Sequence, residues 1–383
     1  MSTLKVAALQ GLSASSDAIT LANDGTCTAN ITNNLSNRNK VINGGMIVKQ
    51  RADLTMTTTS TYSLDRFRGA VGSSFNWSSA TVTQSTTSPD GFGNSLKVDI
   101  ASTNTPTGSQ NALIQTKIEG QDLQDLAYGT SSAKQCTLSF YVRSNKTGTY
   151  CVQIANTGNT KYVLFEYTIN SADTWERKSV TFSGNTANTL NNDNALGFDI
   201  NFHLATGSDD HESATSTWTT YTGGSYKSTS NQVNLFDNAS NEWYLTGVQL
   251  EVGSVATDFE HRSYAQELAL SQRYCFVSEK YATASSYSAL GIDYSGYQTS
   301  ADNWMWISIP FPVTMRAAPT VDTSDAAGNT GNKHTIYTST GGSVTNDVAN
   351  YHTQSFKDHF TISNYSQQKY GMKVVGVKAE AEL

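Results

Sequence analysis

The chain reads as all-β: an antiparallel β-sandwich or jelly roll, then a short helix, then a second, smaller β-sandwich. Three observations predict this. Apolar and polar residues alternate with period two through most of the 383 residues. Clusters of Asn, Gly, Asp and Ser interrupt the alternation at short intervals, as turns do. Helical spacing follows a capping signal in one stretch alone.

The elements follow in order. In residues 1–38, Leu4, Val6 and Ala8 alternate, as do Ile19 and Leu21, and Asn23-Asp24-Gly25 offers a tight turn. This segment falls below the roughly 40 residues an unaided domain needs, so it requires a partner surface. Residues 39–262 carry the main sandwich, with alternation at Leu138-Phe140-Val142, Val163-Phe165-Tyr167-Ile169, Val180-Phe182 and Val248-Leu250-Val252. The clearest strand sets Leu196, Phe198, Ile200, Phe202 and Leu204 against Gly197, Asp199, Asn201 and His203. Its second face is polar, which makes His203 a solvated or hydrogen-bonded residue. The loop Lys146-Thr147-Gly148 predicts a hairpin with Val142 opposite Val152 and Phe140 opposite Ile154. That register keeps Cys136 and Cys151 on different faces, so the four cysteines read as reduced thiols. Ser263 and Gln266 form a capping-box pair that opens a linker helix over 263–275. Residues 276–383 resume the alternation at Met305, Ile307, Ile309 and Phe311, at Phe360-Ile362 and at Lys373 to Val377, enough for a small second sandwich.

Composition narrows the function. Charged residues make up 15% of the chain, against about 25% in ordinary domains, so Ser, Thr, Asn and Gly supply the polarity. That is the surface of an extracellular β-protein. A net charge of -7 argues against nucleic acid as a partner, because phosphate binding depends on Lys and Arg. The first residues lack a secretion signal, and no run approaches the roughly 20 apolar residues of a membrane span. Synthesis in a cytoplasm without membrane insertion is the expectation.

No catalytic signature stands out: G-x-S-x-G, the P-loop, H-E-x-x-H and C-x-x-C are all missing from the sequence. The chain is therefore expected to be no enzyme and to need no cofactor. Asp209-Asp210-His211-Glu212, the densest charged run, reads as a solvated loop. Asn39 to Arg262 resembles jelly-roll carbohydrate-binding modules in strand pattern, and that resemblance implies a structural calcium, with Glu251, Asp65 and carbonyls near Gly44 as its candidate ligands. The plainer reading pairs Asp65 with Arg66 or Arg68, puts Glu251 at a strand end facing water, and leaves no metal.

Aromatic residues in polar loops are the candidate ligand contacts, because sugar rings stack on them. Trp218, Tyr221 and Tyr226 fall in the loop Thr217 to Lys227, where Trp218 could equally cap the core. Tyr294, Tyr297 and His352 fall in two further stretches, Tyr281 to Tyr297 and Thr330 to His352, that mix Tyr and His with Gly, Ser and Asn. Trp175 and Trp243 read as core. Trp304 and Trp306 share one strand face and read first as a subunit interface, then as a receptor platform.

The stretch NEWYLTGVQLEVGSVATDFEHRSYAQELALSQRY, Asn241 to Tyr274, resembles a signature of tail-fibre and receptor-binding proteins of bacterial viruses, especially those of aquatic bacteria. NRNKVINGGMIVKQRA (Asn37 to Ala52), YSLDRFR (Tyr62 to Arg68), SLKVDI (Ser95 to Ile100), TLSFYVRSNKTGTYCVQI (Thr137 to Ile154), SADTWERKSVTFSG (Ser171 to Gly184) and FPVTMRAAPTV (Phe311 to Val321) extend the resemblance in the same order. Two positions depart from the pattern, with Ser271 in place of Cys and Ala52 in place of Gly. In strand pattern, Asn39 to Arg262 is similar to jelly-roll carbohydrate-binding modules. The resemblance implies a non-enzymatic virion fibre that assembles as a homotrimer, attaches to other tail or particle proteins through residues 1–38, and binds a host surface glycan or protein. It also implies that residues 276–383 form the receptor-binding tip. A structural virion component, such as a head fibre, collar or decoration protein, is the alternative. A glycan-degrading tailspike is a third reading, without the internal repeat of a β-helix.

Overall fold

The computed structural model describes residues 6–10, 19–21, 27–29, 37–55, 60–72, 75, 80–156, 161–221, 227–278, 292–294, 304–324, 330–331, 334–337, 343–346, 351–365, 371–374 and 376–383. Near the N-terminus, β1 (Ala8–Leu9), β2 (Ile19–Leu21) and β3 (Cys27–Ala29) form a small antiparallel sheet. The main body follows as β4 (Leu54–Thr55), β5 (Thr61–Leu64), β6 (Phe67–Gly72), β7 (Ala80–Ser85), β8 (Ser95–Ile100), β9 (Asn111–Glu119), β10 (Cys136–Ser144), β11 (Gly148–Asn156), β12 (Lys161–Ile169), β13 (Glu176–Phe182), β14 (Leu196–Thr206), β15 (Thr215–Thr220) and β16 (Glu242–Val252). These strands make a six-stranded sheet in the order β13-β10-β16-β8-β7-β4 and a seven-stranded sheet in the order β15-β12-β11-β14-β9-β6-β5. All pairings are antiparallel among the described strands, so the all-β sandwich predicted from the alternation is present.

The alternating apolar residues fill the space between the sheets. Phe140 of the six-stranded sheet meets Phe202 and Tyr167 of the seven-stranded sheet, each at 5.0 Å between ring centroids and close to edge-on, the arrangement the ring quadrupole favours. Trp243, fully buried, packs 6.2 Å from Phe202. Each such ring taken out of water contributes about 1.5–3 kcal/mol. Trp175 is different: it lies half-buried just before β13, edge-on to Tyr244 at 6.1 Å.

The hairpin expected at Lys146-Thr147-Gly148 does not form. β10 pairs with β13 and β16, whereas β11 pairs with β12 and β14, so the connection carries the chain from one sheet to the other. The apolar faces of β10 and β11 match because they face each other across the core and not because they lie side by side. Gly148, at φ 125°, supplies the backbone conformation this crossing needs. Cys136 and Cys151 consequently belong to different sheets, and both are buried free thiols, as is Cys275.

The helix α1 (Tyr264–Gln272) begins with the capping box read from Ser263 and Gln266: the Gln266 amide donates to Ser263 Oγ at 3.3 Å and the Ser263 amide to Gln266 Oε1 at 3.0 Å. Its buried Glu267 accepts from the Asn43 amide at 2.8 Å and pairs with Arg262 at 3.3 Å. Just beyond the helix, Arg273 grips the fully buried Glu119 with two bonds of 2.8 Å, and the Tyr274 hydroxyl donates to the same carboxylate.

The remaining strands are β17 (Cys275–Val277), β18 (Ile292–Tyr294), β19 (Trp304–Pro310), β20 (Thr320–Ser324), β21 (His334–Tyr337), β22 (Ser343–Asn346), β23 (Tyr351–Ser355), β24 (His359–Tyr365), β25 (Gly371–Val374) and β26 (Gly376–Glu380). They form three small antiparallel sheets, β17-β26-β20, β18-β25-β21-β22 and β19-β24-β23, with a separate apolar cluster that includes Phe311, Met315 and Val377. The last residues return to the sandwich. Arg51 pairs with Glu380 at 3.2 Å and Glu382 at 2.8 Å, Arg66 pairs with Glu382, and Lys117 donates to the Leu383 carbonyl at 2.8 Å.

Asp65 and Glu251 depart from the sequence reading. Asp65 is fully buried and pairs with Arg51, not with its neighbours, because Arg66 takes φ 68° in the turn and is carried over the Tyr274 ring at 3.5 Å. Glu251 does not face water. It is buried and accepts from Thr257 and Gln249 at 2.7–2.9 Å. Both carboxylates are held by protein donors.

Truncating the inter-sheet contact is a direct check on this architecture. Phe140→Ala is expected to lower the free energy of unfolding by about 3–5 kcal/mol, the range for deleting a large buried ring. Chemical denaturation monitored by tryptophan fluorescence would measure it, and a loss below about 1 kcal/mol would contradict the packing described.

Candidate functional site

The alternation that sends Phe198, Ile200 and Phe202 into the core sends Asp199, Asn201 and His203 to the opposite face of β14. On that face the seven-stranded sheet carries a groove of about 380 Å³. Antiparallel register aligns a polar row across its floor: Arg68 on β6 lies opposite Gln115 on β9, Gln115 opposite Asn201 on β14, and Asn201 opposite Gln153 on β11. The side chains join into one ladder. Arg68 Nε donates to Gln115 Oε1 at 2.6 Å, Gln115 Nε2 to Asn201 Oδ1 at 2.7 Å, and Asn201 Nδ2 to Gln153 Oε1 at 3.2 Å. Each amide in such a chain is fixed by its neighbours, so the floor presents oriented donors and acceptors.

Small residues set the depth. Ala70, Gly72 and Ala155 line the groove, and a side chain on Gly72 would meet the Asn111 amide at 2.2 Å. Asn111 in turn donates to Asp210 Oδ2 at 3.1 Å, and Lys227 pairs with the same oxygen at 3.0 Å, which closes one end. Asp210 is thus fully buried and neutralised, contrary to the solvated loop read from the sequence. Tight backbone bonds cause this: the Lys227 and Ser228 amides both donate to the Asp210 carbonyl and hold the loop over it.

Two groups on the floor carry buried atoms without hydrogen-bond partners among the described residues. Asp199 is 4% exposed, and its Oδ1 meets no donor among the described residues. Burial raises its pKa to about 6, against the opposing influence of Lys117 and Arg68. His203 is fully buried, with neither ring nitrogen hydrogen-bonded among the described residues, so it is not the solvated residue expected. It lies opposite Leu113 in register, next to the bulge between His203 and Ala205, with Lys227 near it. Burial, then the nearby Lys227, holds its pKa down at about 3, so the imidazole is neutral and offers one donor and one acceptor.

Of the residues singled out in the sequence, Tyr221 is part of this groove, its ring tilted 34° against that of Tyr162 with centroids 4.9 Å apart. Burial, with Asp199 nearby, pushes its hydroxyl pKa up. Trp218 is elsewhere. Its indole nitrogen donates to the Ser183 carbonyl at 2.9 Å, and its ring packs on Phe198, Phe182 and Tyr128 at 5.3–5.8 Å, closing the edge of the core. Tyr294 lies in β18, paired with Met372, and His352 in β23, paired with Ser363, in two different sheets. The sequence predicts loops at both positions, yet the β-formers around them carry them into strands. Tyr226 and Tyr297 lie outside the described residues. Arg68, Gln115, Gln153, Asp199 and Asn201 were not singled out. The polar face of β14 was visible as alternation, but the strands beside it depend on long-range register.

No family model matches the chain, and no curated protein matches it. Among solved structures, it is similar to a putative sugar-binding protein from Bacteroides thetaiotaomicron, at 14% identity and a TM-score of 0.34 over 56% of this chain and 100% of the other. It is similar to the enzymatically active domain of tailspike protein 4 of bacteriophage CBA120, at 14% identity and 0.27, covering 56% of this chain and 21% of that one. A family 11 carbohydrate-binding module from Clostridium thermocellum aligns at 13% identity and 0.27, over 55% and 98%.

The buried imidazole makes stability pH-dependent in a defined direction. His203 is neutral in both folded and unfolded chains above about pH 6.5. As pH falls towards 3, the unfolded chain takes up a proton that the folded one refuses, and stability is lost. Asp199 acts oppositely between its unfolded value and about 6, so the His203 effect is isolated by a variant. His203→Gln is expected to reduce the stability lost between pH 7 and pH 4 by roughly 2–3 kcal/mol. Denaturant titrations at both pH values would show it, and an unchanged loss would contradict a buried neutral imidazole.

Proposed function

We propose that this chain is a non-enzymatic glycan-binding protein, with the groove on the seven-stranded sheet as its binding site, and that it serves as a virion fibre protein reading a host surface glycan during adsorption. The polar ladder Arg68-Gln115-Asn201-Gln153, beside the Asp199 Oδ1 that meets no donor among the described residues, carries the binding part of the reading. Sugars present closely spaced hydroxyls that both donate and accept, together with C–H faces that suit the Tyr221 ring. A ligand of that kind completes the hydrogen bonding that the buried floor leaves open, and each buried polar atom so satisfied removes a cost of about 1–3 kcal/mol. Turnover has no support in the groove: glycoside cleavage ordinarily needs two carboxylates across the scissile bond, and Asp199 is the single carboxylate among the described lining residues.

The virion role, the homotrimer and particle attachment through residues 1–38 rest on the sequence resemblance. A weak site repeated on a trimer gains avidity of roughly 10² to 10⁴ over one site. Residues 276–383 remain the proposed cell-facing part, with Tyr294, Tyr297 and His352 as candidate contacts; Trp218, Tyr221 and Tyr226 remain candidates as well.

Asn201→Ala breaks the ladder at its centre and is expected to weaken glycan binding at least about tenfold, equivalent to ~1.4 kcal/mol. A glycan array followed by calorimetry on the best ligand would measure it. Binding unchanged by Asn201→Ala would move the site away from the groove, and binding of no glycan at all would favour the structural-component reading. Light scattering at micromolar concentration is expected to give the mass of three chains, and a monomer would reject the trimer.

A further inference from the structure

We infer that the groove is built for a neutral, hydroxyl-rich sugar and rejects acidic ones, with the Asp199 carboxylate as the residue that sets this specificity. The inference rests on the glycan-binding reading and adds the ligand's charge class to it. Asp199 is placed by register between Lys117 on β9 and Ala155 on β11. The methyl group of Ala155 leaves room on one side of the carboxylate, and the Tyr162–Tyr221 pair stands beyond it. Lys117 is already used by the Leu383 carbonyl, and Arg68 Nε by Gln115. Both cations favour the ionised form of Asp199 through space, and neither forms a salt bridge with it among the described residues. The result is a buried acceptor held ready for donors from outside the protein.

The charges that line the groove disfavour an anionic ligand. Arg68 and Lys227 are the cations among the described lining residues, and Lys227 is neutralised by the buried Asp210 at 3.0 Å. Among the lining residues Arg68 then stands against Asp199; Lys117, which is not among them, is bound to the Leu383 carbonyl. A sugar carboxylate placed on this floor would approach a buried carboxylate in a medium of low dielectric, where like charges repel strongly. A pair of neutral hydroxyls instead donates to Asp199 and accepts from the amides and the free end of Arg68.

A pH dependence follows. Lys117 and Arg68 face Asp199 from β9 and β6, Tyr162 and Tyr221 from the β12 side, and Asn201 and His203 share its strand. Of these, Asp199 itself changes charge near pH 6, while His203 stays neutral down to about 3. Protonation removes an acceptor, so affinity for a neutral sugar falls below about pH 6.

The test uses the full chain and calorimetry at pH 5 to 8, with cello-, xylo- and manno-hexaose as neutral probes and hexagalacturonate and sialyllactose as acidic ones. The wild type is expected to bind at least one neutral probe at least about tenfold more tightly than either acidic one, with affinity declining below pH 6. Asp199→Asn is expected to weaken the neutral probe about tenfold or more, to flatten the pH profile, and to narrow the gap to the acidic probes. Preference of the wild type for an acidic probe would overturn the inference and leave the glycan reading standing; that comparison needs no variant to fold. A folded Asp199→Asn protein with unchanged neutral affinity and pH profile would also overturn it. Binding of neither class would overturn the glycan reading itself.

Discussion

The structure depends on one strand that is buried on both faces. β14 sends Phe198, Ile200, Phe202 and Leu204 into the inter-sheet core and Asp199, Asn201 and His203 into the groove floor, with all seven at most 6% exposed. The first set drives folding by removing apolar surface from water. The second opposes it, because polar groups lose water and some gain no partner in return. Only a strand fixed on its other face by a well-packed core can hold Asp199 and His203 in that condition. The rings of Phe140, Tyr167 and Trp243 packed against Phe202 or beside it therefore support the site as well as the fold.

A second constraint fixes the neighbouring strands. Glu119 ends β9 and is held by Arg273 and Tyr274 beyond the helix, while Arg66, just before β6, reaches Glu382 and lies over Tyr274. These are buried charges, and removing one partner of such a pair typically costs about 3–5 kcal/mol because the other is left unpaired. The network joins the C-terminal residues to the two strands that supply Arg68, Gln115 and Lys117. Side chains held this way lose little further freedom when a ligand arrives, which favours binding.

Period-two alternation made the strands legible in the sequence, and Ser263 with Gln266 made the helix start legible, because each signal is local. The polar face of β14 was on view for the same reason. What the residues around it do was not. The matching apolar faces of β10 and β11 fit a hairpin and a sheet-to-sheet crossing equally well, and only the long-range pairing decides between them. Arg68, Gln115 and Gln153 are unremarkable in sequence and acquire meaning from register alone. Trp218 is open to two readings in the sequence, ligand contact or core cap, and only the fold shows its ring packing against three core aromatics. Buried polar atoms without partners, the strongest pointer to the groove, exist only once the chain has folded.

The central claim is that the floor around Asp199 and Asn201 is a sugar site. A crystal structure of the full chain soaked with a neutral hexasaccharide tests it most directly. The expected result is a sugar ring in the groove, with hydroxyl oxygens within about 3.2 Å of the Asp199 carboxylate and the Asn201 amide and with Tyr221 against a ring face. An ordered oligosaccharide bound elsewhere, on the strands carrying Tyr294 and His352 or beside Trp218, with the groove holding no sugar, would contradict it.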